Sequence, residues 1–342
     1  MTKSVLLTGA SGYIAKHIAL QLLEAGYHVR GTVRSLSRGA EVTEAVRPHL
    51  SDPSGLADRL TFVALDLSSD DGWDAAMEGM DVLMHTASPF PITQPKDADD
   101  LIRPAVDGTL RALRAAHKAG IGRAIVTSSV AAISGTDLPP EDVAFDETNW
   151  TDPEDDRVVA YSKSKTYAEM AAWDFVRDEA PDMALTCINP ALVVGTPLDR
   201  NYGTSIEVVE RTMRGKDPMV PDIGFGVVDV RDVAALHVTV IDRPDTHGQR
   251  IMAVENYMTF QEIAKALKAA FPDRRIPTRV APHLLIGLLA IFDPAIRSIL
   301  PSLGRREKFD NARAKSTLGR GLYRGEQAIV ATGQYLVDEK IV

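Results

Sequence analysis

Three features of this 342-residue chain predict an α/β fold, a doubly wound parallel sheet with a smaller, interleaved C-terminal lobe. Short apolar runs alternate with helical segments through the first half. A glycine-rich turn joins the first run to the first helix, and past about residue 195 Pro and Gly become frequent and the pattern turns irregular. In order, Ser4–Thr8 reads as a buried strand. Ile14–Ala25 follows with helical spacing of Ile18, Leu22 and Leu23, and Gly26 sits where a helix-ending glycine belongs. His28–Val33, Leu60–Leu65, Val82–Thr86 and Arg123–Thr127 are the next strands. Pro104–Ala119, with Val106, Leu110, Leu113 and Ala116 on one face, is the helix between the last two. Strands separated by helices of this length form βαβ units with right-handed crossovers. Ala184–Val194 is expected as one further strand, and Val227–Val240 and Gln249–Val254 as segments returning to the first lobe. The expected division is residues 1–195, with the returning segments at about 227–254, against a lobe and C-terminal helices in 196–342.

The turn itself is Thr8-Gly-Ala-Ser-Gly-Tyr-Ile-Ala15. Gly9 permits a tight bend, Gly12 lets the backbone approach a pyrophosphate, and Ala15 allows close helix–strand packing. The helix start, with Ser11, Tyr13 and Ile14, then presents free N–H groups to phosphate oxygens. Position, spacing and strand–helix context together specify a Rossmann-type dinucleotide site. The end of the second strand selects the dinucleotide. An NAD site carries an acid there for the ribose 2′-hydroxyl, but this chain has Arg34-Ser35-Leu-Ser-Arg38 and no acid before Glu41. Arg34 can grip a 2′-phosphate, Ser35 can donate to it and Arg38 adds charge, so NADP(H) is the expected cofactor. Asp66-Leu67 follows the third strand, where the carboxylate can accept from the adenine amino group and the Leu can cover the ring.

Tyr161-Ser-Lys-Ser-Lys165 heads a helix, placing a phenol and an ammonium at i and i+4 on one face. A phenol of ordinary pKa is a poor acid–base catalyst at neutral pH, and a neighbouring cation favours its ionised form. Val126-Thr-Ser128-Ser129-Val-Ala-Ala lies about thirty residues earlier at a strand's carboxyl end, where α/β sheets bind ligands. A hydroxyl there can bond a carbonyl oxygen as charge develops on it.

Gly9-x-x-Gly12-x-x-Ala15, Ser129, Tyr161 and Lys165 together resemble the extended short-chain dehydrogenase/reductases. Within these, the chain resembles the dihydroflavonol-reductase-like branch of NADPH-dependent aldehyde and ketone reductases. Arg34, His85-Thr-Ala-Ser-Pro-Phe90, Asn189-Pro190-Ala-Leu-Val-Val-Gly195 and Val228-Asp-Val-Arg-Asp232-Val-Ala-Ala add to the match. The resemblance runs from residue 3 to about 260. It implies that Tyr161 protonates the nascent alkoxide, that Lys165 binds the nicotinamide ribose and lowers the Tyr pKa, and that Ser129, rather than Ser128, holds the carbonyl oxygen. Thr86, Ala87 and Ser88 would line the cofactor near its ribose, and Pro190 and Val193 would flank the carboxamide. Two departures stand out. Asp107-Gly-Thr109 replaces an Asn-containing pattern. Arg157-Val-Val-Ala-Tyr161 also differs from the Asn-Trp-Tyr-Cys-Tyr of cinnamoyl-CoA reductases, which argues against a CoA-thioester substrate.

Composition narrows the remaining classes. A balance of 47 acidic to 38 basic side chains, net −9, disfavours nucleic acid and anionic membrane as partners. The one cysteine, Cys187, sits in an apolar strand and suits core packing. The eight histidines show no metal-ligand spacing, and His85 is expected to pack near the cofactor. The start, with one Lys and an apolar run of only Val5–Leu7, lacks a signal-peptide core, so a soluble cytoplasmic protein is expected. The most apolar stretch, 284–292, is expected as a packed helix. For the substrate, Phe90, Ile92, Val130, Tyr202, Ser205, Ile206 and Phe225 are the candidate lining, suited to a hydrophobic or aromatic carbonyl compound. A nucleotide-sugar epimerase or dehydratase and a non-catalytic NADP-binding regulator are the competing readings. The dehydratases carry Thr-Asp-Glu where Ser129-Val-Ala stands, and the regulators lose the Tyr or Lys. The family includes monomers and homodimers.

Overall fold

A computed structural model describes residues 2–88, 97–135, 137–140, 143–293, 296–297 and 299–342. The chain runs β1 (Ser4–Thr8), α1 (Tyr13–Glu24), β2 (His28–Val33), α2 (Ser37–Val46), α3 (Leu56–Arg59), β3 (Leu60–Ala64), α4 (Trp73–Met77) and β4 (Val82–His85). It continues through α5 (Asp99–Lys118), β5 (Arg123–Thr127), α6 (Ala160–Asp178), β6 (Ala184–Pro190), β7 (Leu192–Val194), α7 (Thr204–Arg214), β8 (Gly224–Asp229) and α8 (Val230–Thr239). It ends with β9 (Gln249–Ala253), β10 (Asn256–Thr259), α9 (Phe260–Ala270), α10 (His283–Leu289), α11 (Ala312–Leu318) and α12 (Gly325–Asp338).

Seven strands make one parallel sheet in the order β3-β2-β1-β4-β5-β6-β9. The chain order reverses between β1 and β4, and the crevice at that switch point is where such sheets take ligands. The central strands are buried on both faces: Val5, Leu6 and Leu7 of β1 are fully enclosed, as are Ala124 and Ile125 of β5. This is why they read as continuous apolar runs. α1 and α8 pack together on one side of the sheet, α5 and α6 on the other. α1 closes as its sequence indicates: Gly26 takes φ +86°, its N–H donates to Leu23 O, and Tyr27 N–H reaches Leu22 O.

Two expectations need correction. The apolar run 184–194 is not one strand. β6 stays in the large sheet and ends at Pro190; β7 joins β8 and β10 in a separate three-stranded sheet. Ala191 N–H still pairs with Ala253 O, so the break falls within two residues. The stretch 284–292 is also not packed. Leu284 and Phe292 are 80% and 85% exposed, Leu288, Leu289 and Ile291 are exposed too, and only Ile286 and Ala290 face inward. α10 is seven residues long and turns one narrow edge to the protein, so most of its apolar side chains are left exposed.

Candidate active site

The glycine-rich turn is shaped by contacts that a side chain would break. Gly9 has φ +66°, and a Cβ there would stand 3.0 Å from the Cα and Cβ of Ala87. Its N–H donates to Thr32 Oγ1, and Thr8 Oγ1 accepts from the N–H groups of Thr86 and Ala87, locking β1, β2 and β4 together at their carboxyl ends. α1 then starts at Gly12 with no side-chain cap and no acidic residue in its first turn. The positive end of its dipole is left for an external anion.

Three cavities are linked to this turn, directly or in sequence, by lining residues they share. The first, about 770 Å³, is lined by Gly9, Ser11, Gly12, Arg34, Asp66, Leu67, Thr86, Ala87 and Ser88, joined by Arg103, Asp107 and Arg111. The second, about 310 Å³, shares Gly9, Gly12 and Thr86 with the first and adds Tyr13, Ile14, Ser129, Tyr161, Lys165, Pro190, Val193 and Ser205. The third, about 400 Å³, shares Tyr161 with the second and is walled by Val130, Leu192, Ile223 and Phe225 with residues from the end of the chain. Tyr161 is therefore common to the walls of the second and third cavities.

Around that phenol the chemistry is concentrated. Ser129 Oγ is hydrogen-bonded to the Tyr161 hydroxyl. It also accepts from Ala131 N–H, which caps the short turn after β5. Ser128 is spent elsewhere, donating to Glu169 at 2.6 Å. Lys165 Nζ lies 5.9 Å from the Tyr161 ring centre. Burial raises the phenol above its ordinary value, and the Ser129 hydrogen bond works against that rise. Burial brings the Lys165 ammonium down to about 8, opposed by the charge of Glu169. Without a bound nicotinamide, burial dominates the phenol. The phenol stays protonated at neutral pH, the state a proton donor needs. His85 is buried, shares Thr8 Oγ1 through Nδ1 at 2.9 Å and is held down to about 3, so it is neutral and structural. Cys187 is buried with its thiol pushed up, as a core residue should be.

Below the site lies a group that the sequence reading missed. Glu169, one helical turn past Lys165, is enclosed and accepts from Ser128 Oγ, Asn189 Nδ2 (2.7 Å), Arg250 Nε (2.6 Å) and Trp173 Nε1 (3.3 Å). Arg250, on β9, also donates to the carbonyls of Glu147, Asn149 and Ala132 and lies 3.6 Å from the Trp150 ring centre. One ion pair thus ties α6 to β5, β6 and β9. An arginine inside an otherwise apolar strand was the available signal.

Other assigned residues land elsewhere. Ser35 Oγ pairs with Ser37 Oγ, and Arg38 pairs with Glu41, neither lining the cleft. The Tyr13 hydroxyl is used on Gly195 O. Ile206 is a correction: fully enclosed on α7, it belongs to the hydrophobic core. Tyr202 is another, bonded to Glu210 and edge-on to Tyr335, outside the third cavity. Apolar spacing in the sequence cannot say which face of a lobe is hollow. Ser205 lines the second cavity rather than the third. Phe90 and Ile92 lie outside the described residues.

The NAD dependent epimerase/dehydratase family model matches residues 5–254. The chain belongs to this family. Within it, the chain is similar to the ketoreductase azaE of Aspergillus niger, 35% identical over 321 residues that cover 88% of this chain and 93% of that protein. It is also similar to cinnamoyl-CoA reductase 1 of Arabidopsis thaliana, 33% identical over 81% of this chain and 77% of that one. Among solved structures, yeast methylglyoxal/isovaleraldehyde reductase Gre2 complexed with NADPH superposes with a TM-score of 0.80 at 28% identity, covering 99% of this chain and 100% of that one. Among the described residues no helix is long and apolar enough to cross a membrane, and no cluster of potential metal ligands occurs.

Proposed function

We propose that this family member is an NADPH-dependent carbonyl reductase that converts a ketone or aldehyde, hydrophobic or aromatic in character, to an alcohol. Tyr161 carries the reading, since it lines both the second cavity, with Lys165 and Ser129, and the third. The similarity to NADPH-dependent reductases supports it.

The first two cavities fit a dinucleotide. The turn at Gly9 leaves no room for a Cβ, α1 offers uncapped N–H groups, and Arg34 and Asp66 stand at the far end. NADPH, when bound, supplies the hydride. Ser129 Oγ donates to the substrate carbonyl oxygen and Tyr161 delivers the proton that completes the alcohol. Lys165 holds the nicotinamide ribose and supports the phenol electrostatically. Arg34 and the Ser129-Val-Ala stretch count against the epimerase and dehydratase readings, and Tyr161 and Lys165 count against the regulator. The residues before Tyr161 favour a free carbonyl compound over a CoA thioester. A cytoplasmic location, and a monomer or homodimer, belong to the same reading.

Two experiments test its parts. Arg34→Gln should lower kcat/KM for NADPH by roughly 10- to 100-fold, the worth of a charge-assisted bond to phosphate, and leave NADH turnover nearly unchanged. An equal loss with both cofactors would remove Arg34 from the 2′-phosphate site. The pH profile reports Lys165. Its ammonium is present below about 8 and is lost as pH rises through that value, so reductive kcat/KM should be level from pH 6 to 7.5 and fall above about pH 8. A profile level to pH 10 contradicts a charged-lysine requirement.

A further inference from the structure

Part of the third cavity's wall comes from Ile299, Pro301, Ser302, Arg305 and Glu307, in a segment for which the sequence offers no chemistry. The wall is pinned from several directions. Gly304, at φ +72°, donates its N–H to Asp222 O at 2.7 Å, and Tyr257 Oη donates to Arg305 O at 2.6 Å. Arg306 and His283 both hold Asp222. Phe145 N–H donates to Lys308 O, and Asp310 N–H returns to Phe145 O.

Within this wall Arg305 is held in one orientation. Its Nε donates to Glu307 Oε1 at 2.7 Å and its Nη2 to Ser134 O at 2.8 Å, with the Phe145 ring centre 5.9 Å away. Its Nη1 donates to no acceptor among the described residues, and the side chain lines the cavity. Glu307 neutralises the guanidinium, and at the rim Arg157 is neutralised by Asp137 and Asp155. Arg305 therefore brings to the cavity wall a held guanidinium whose Nη1 has no partner among the described residues, without the excess positive charge that would select an anion. The rest of the lining includes Val130, Val159, Leu192, Ile223 and Phe225.

We propose that Arg305 is a specificity-determining residue whose Nη1–H bonds a neutral acceptor, such as an ester, ether or second carbonyl oxygen, at the end of the substrate remote from the reacting carbon. This rests on the carbonyl-reductase reading. A site that presents a fixed donor rejects the analogue lacking the acceptor, because the donor is then desolvated without a partner.

The experiment compares keto esters of increasing chain length with methyl alkyl ketones of equal heavy-atom count, using NADPH and reading the ratio of kcat/KM for each matched pair. The ratio is taken within each variant, so any loss common to both substrates divides out. In the wild type the best-fitting keto ester should exceed its ketone about tenfold or more. In R305M/E307Q, which leaves no charge of the pair unpaired, the ratio should fall to near one. R305K, which keeps the pairing to Glu307 but loses the planar fork, should lie between and serves if the double variant does not fold. A wild-type ratio near one at every length, or an unchanged ratio in R305K and the double variant, overturns the proposal. Silence of the wild type toward both series would instead overturn the reductase reading itself, and this proposal with it.

Discussion

Tyr161→Phe is expected to lower kcat for carbonyl reduction about a thousandfold while NADPH still binds. The substitution removes one oxygen from a site whose other parts, the glycine turn and Lys165, stay in place. General-acid catalysis of this kind contributes between about a hundredfold and ten-thousandfold. The loss should fall on kcat rather than on KM, since the proton is needed only as the alkoxide forms. Ser129→Ala should cost less, about a hundredfold, because Tyr161 can still donate to the carbonyl oxygen. Both are read by NADPH oxidation at saturating substrate, with cofactor fluorescence confirming binding. If the Phe variant keeps more than a tenth of wild-type kcat, Tyr161 is not the proton donor.

The second large effect is on stability. Arg250→Met should destabilise the fold by about 3–5 kcal/mol, because the enclosed Glu169 carboxylate loses its countercharge and keeps only the Ser128, Asn189 and Trp173 donors. Combining it with Glu169→Gln should recover a good part of that loss, since the carboxylate stripped of Arg250 is then gone. Urea midpoints of the wild type, the single and the double variant decide this. A single variant within about 1 kcal/mol of wild type would show that the pair is not the tie between α6 and β9. Any drop in activity of these variants is indirect. Ser128 and Asn189 Nδ2, which also reaches Ser129 O, are the groups that hold the end of β5 in place.

Much of this architecture is written locally in the chain. β1 and β5 begin and end where their apolar runs do, because a strand buried on both faces has no alternation to blur its limits. The turn from Gly9 to Ala15 and the Tyr161–Lys165 helix face are legible for the same reason: each is fixed by neighbours within a few residues. What was hidden depends on distant partners. Residues 184–194 look like one strand, since nothing local tells that Leu192–Val194 pairs with β8. The run 284–292 has the composition of a core helix, and only the surrounding fold leaves it uncovered. Ile206 and Tyr202 sit beside Ser205, which does reach a cavity, yet face the core. The pairing of Glu169 with Arg250 spans 81 residues, and the wall carrying Arg305 comes from a segment with no motif at all.

The most direct test of the central claim is to follow the hydride. NADPH deuterated at the transferable position of nicotinamide C4 is incubated with the protein and an aryl or alkyl ketone, and the product is examined by mass spectrometry. An alcohol carrying deuterium on its carbinol carbon is expected, formed faster with NADPH than with NADH and about a thousandfold more slowly with Tyr161→Phe. NADPH that binds but gives no labelled alcohol across aldehydes, ketones and dicarbonyl compounds would contradict it.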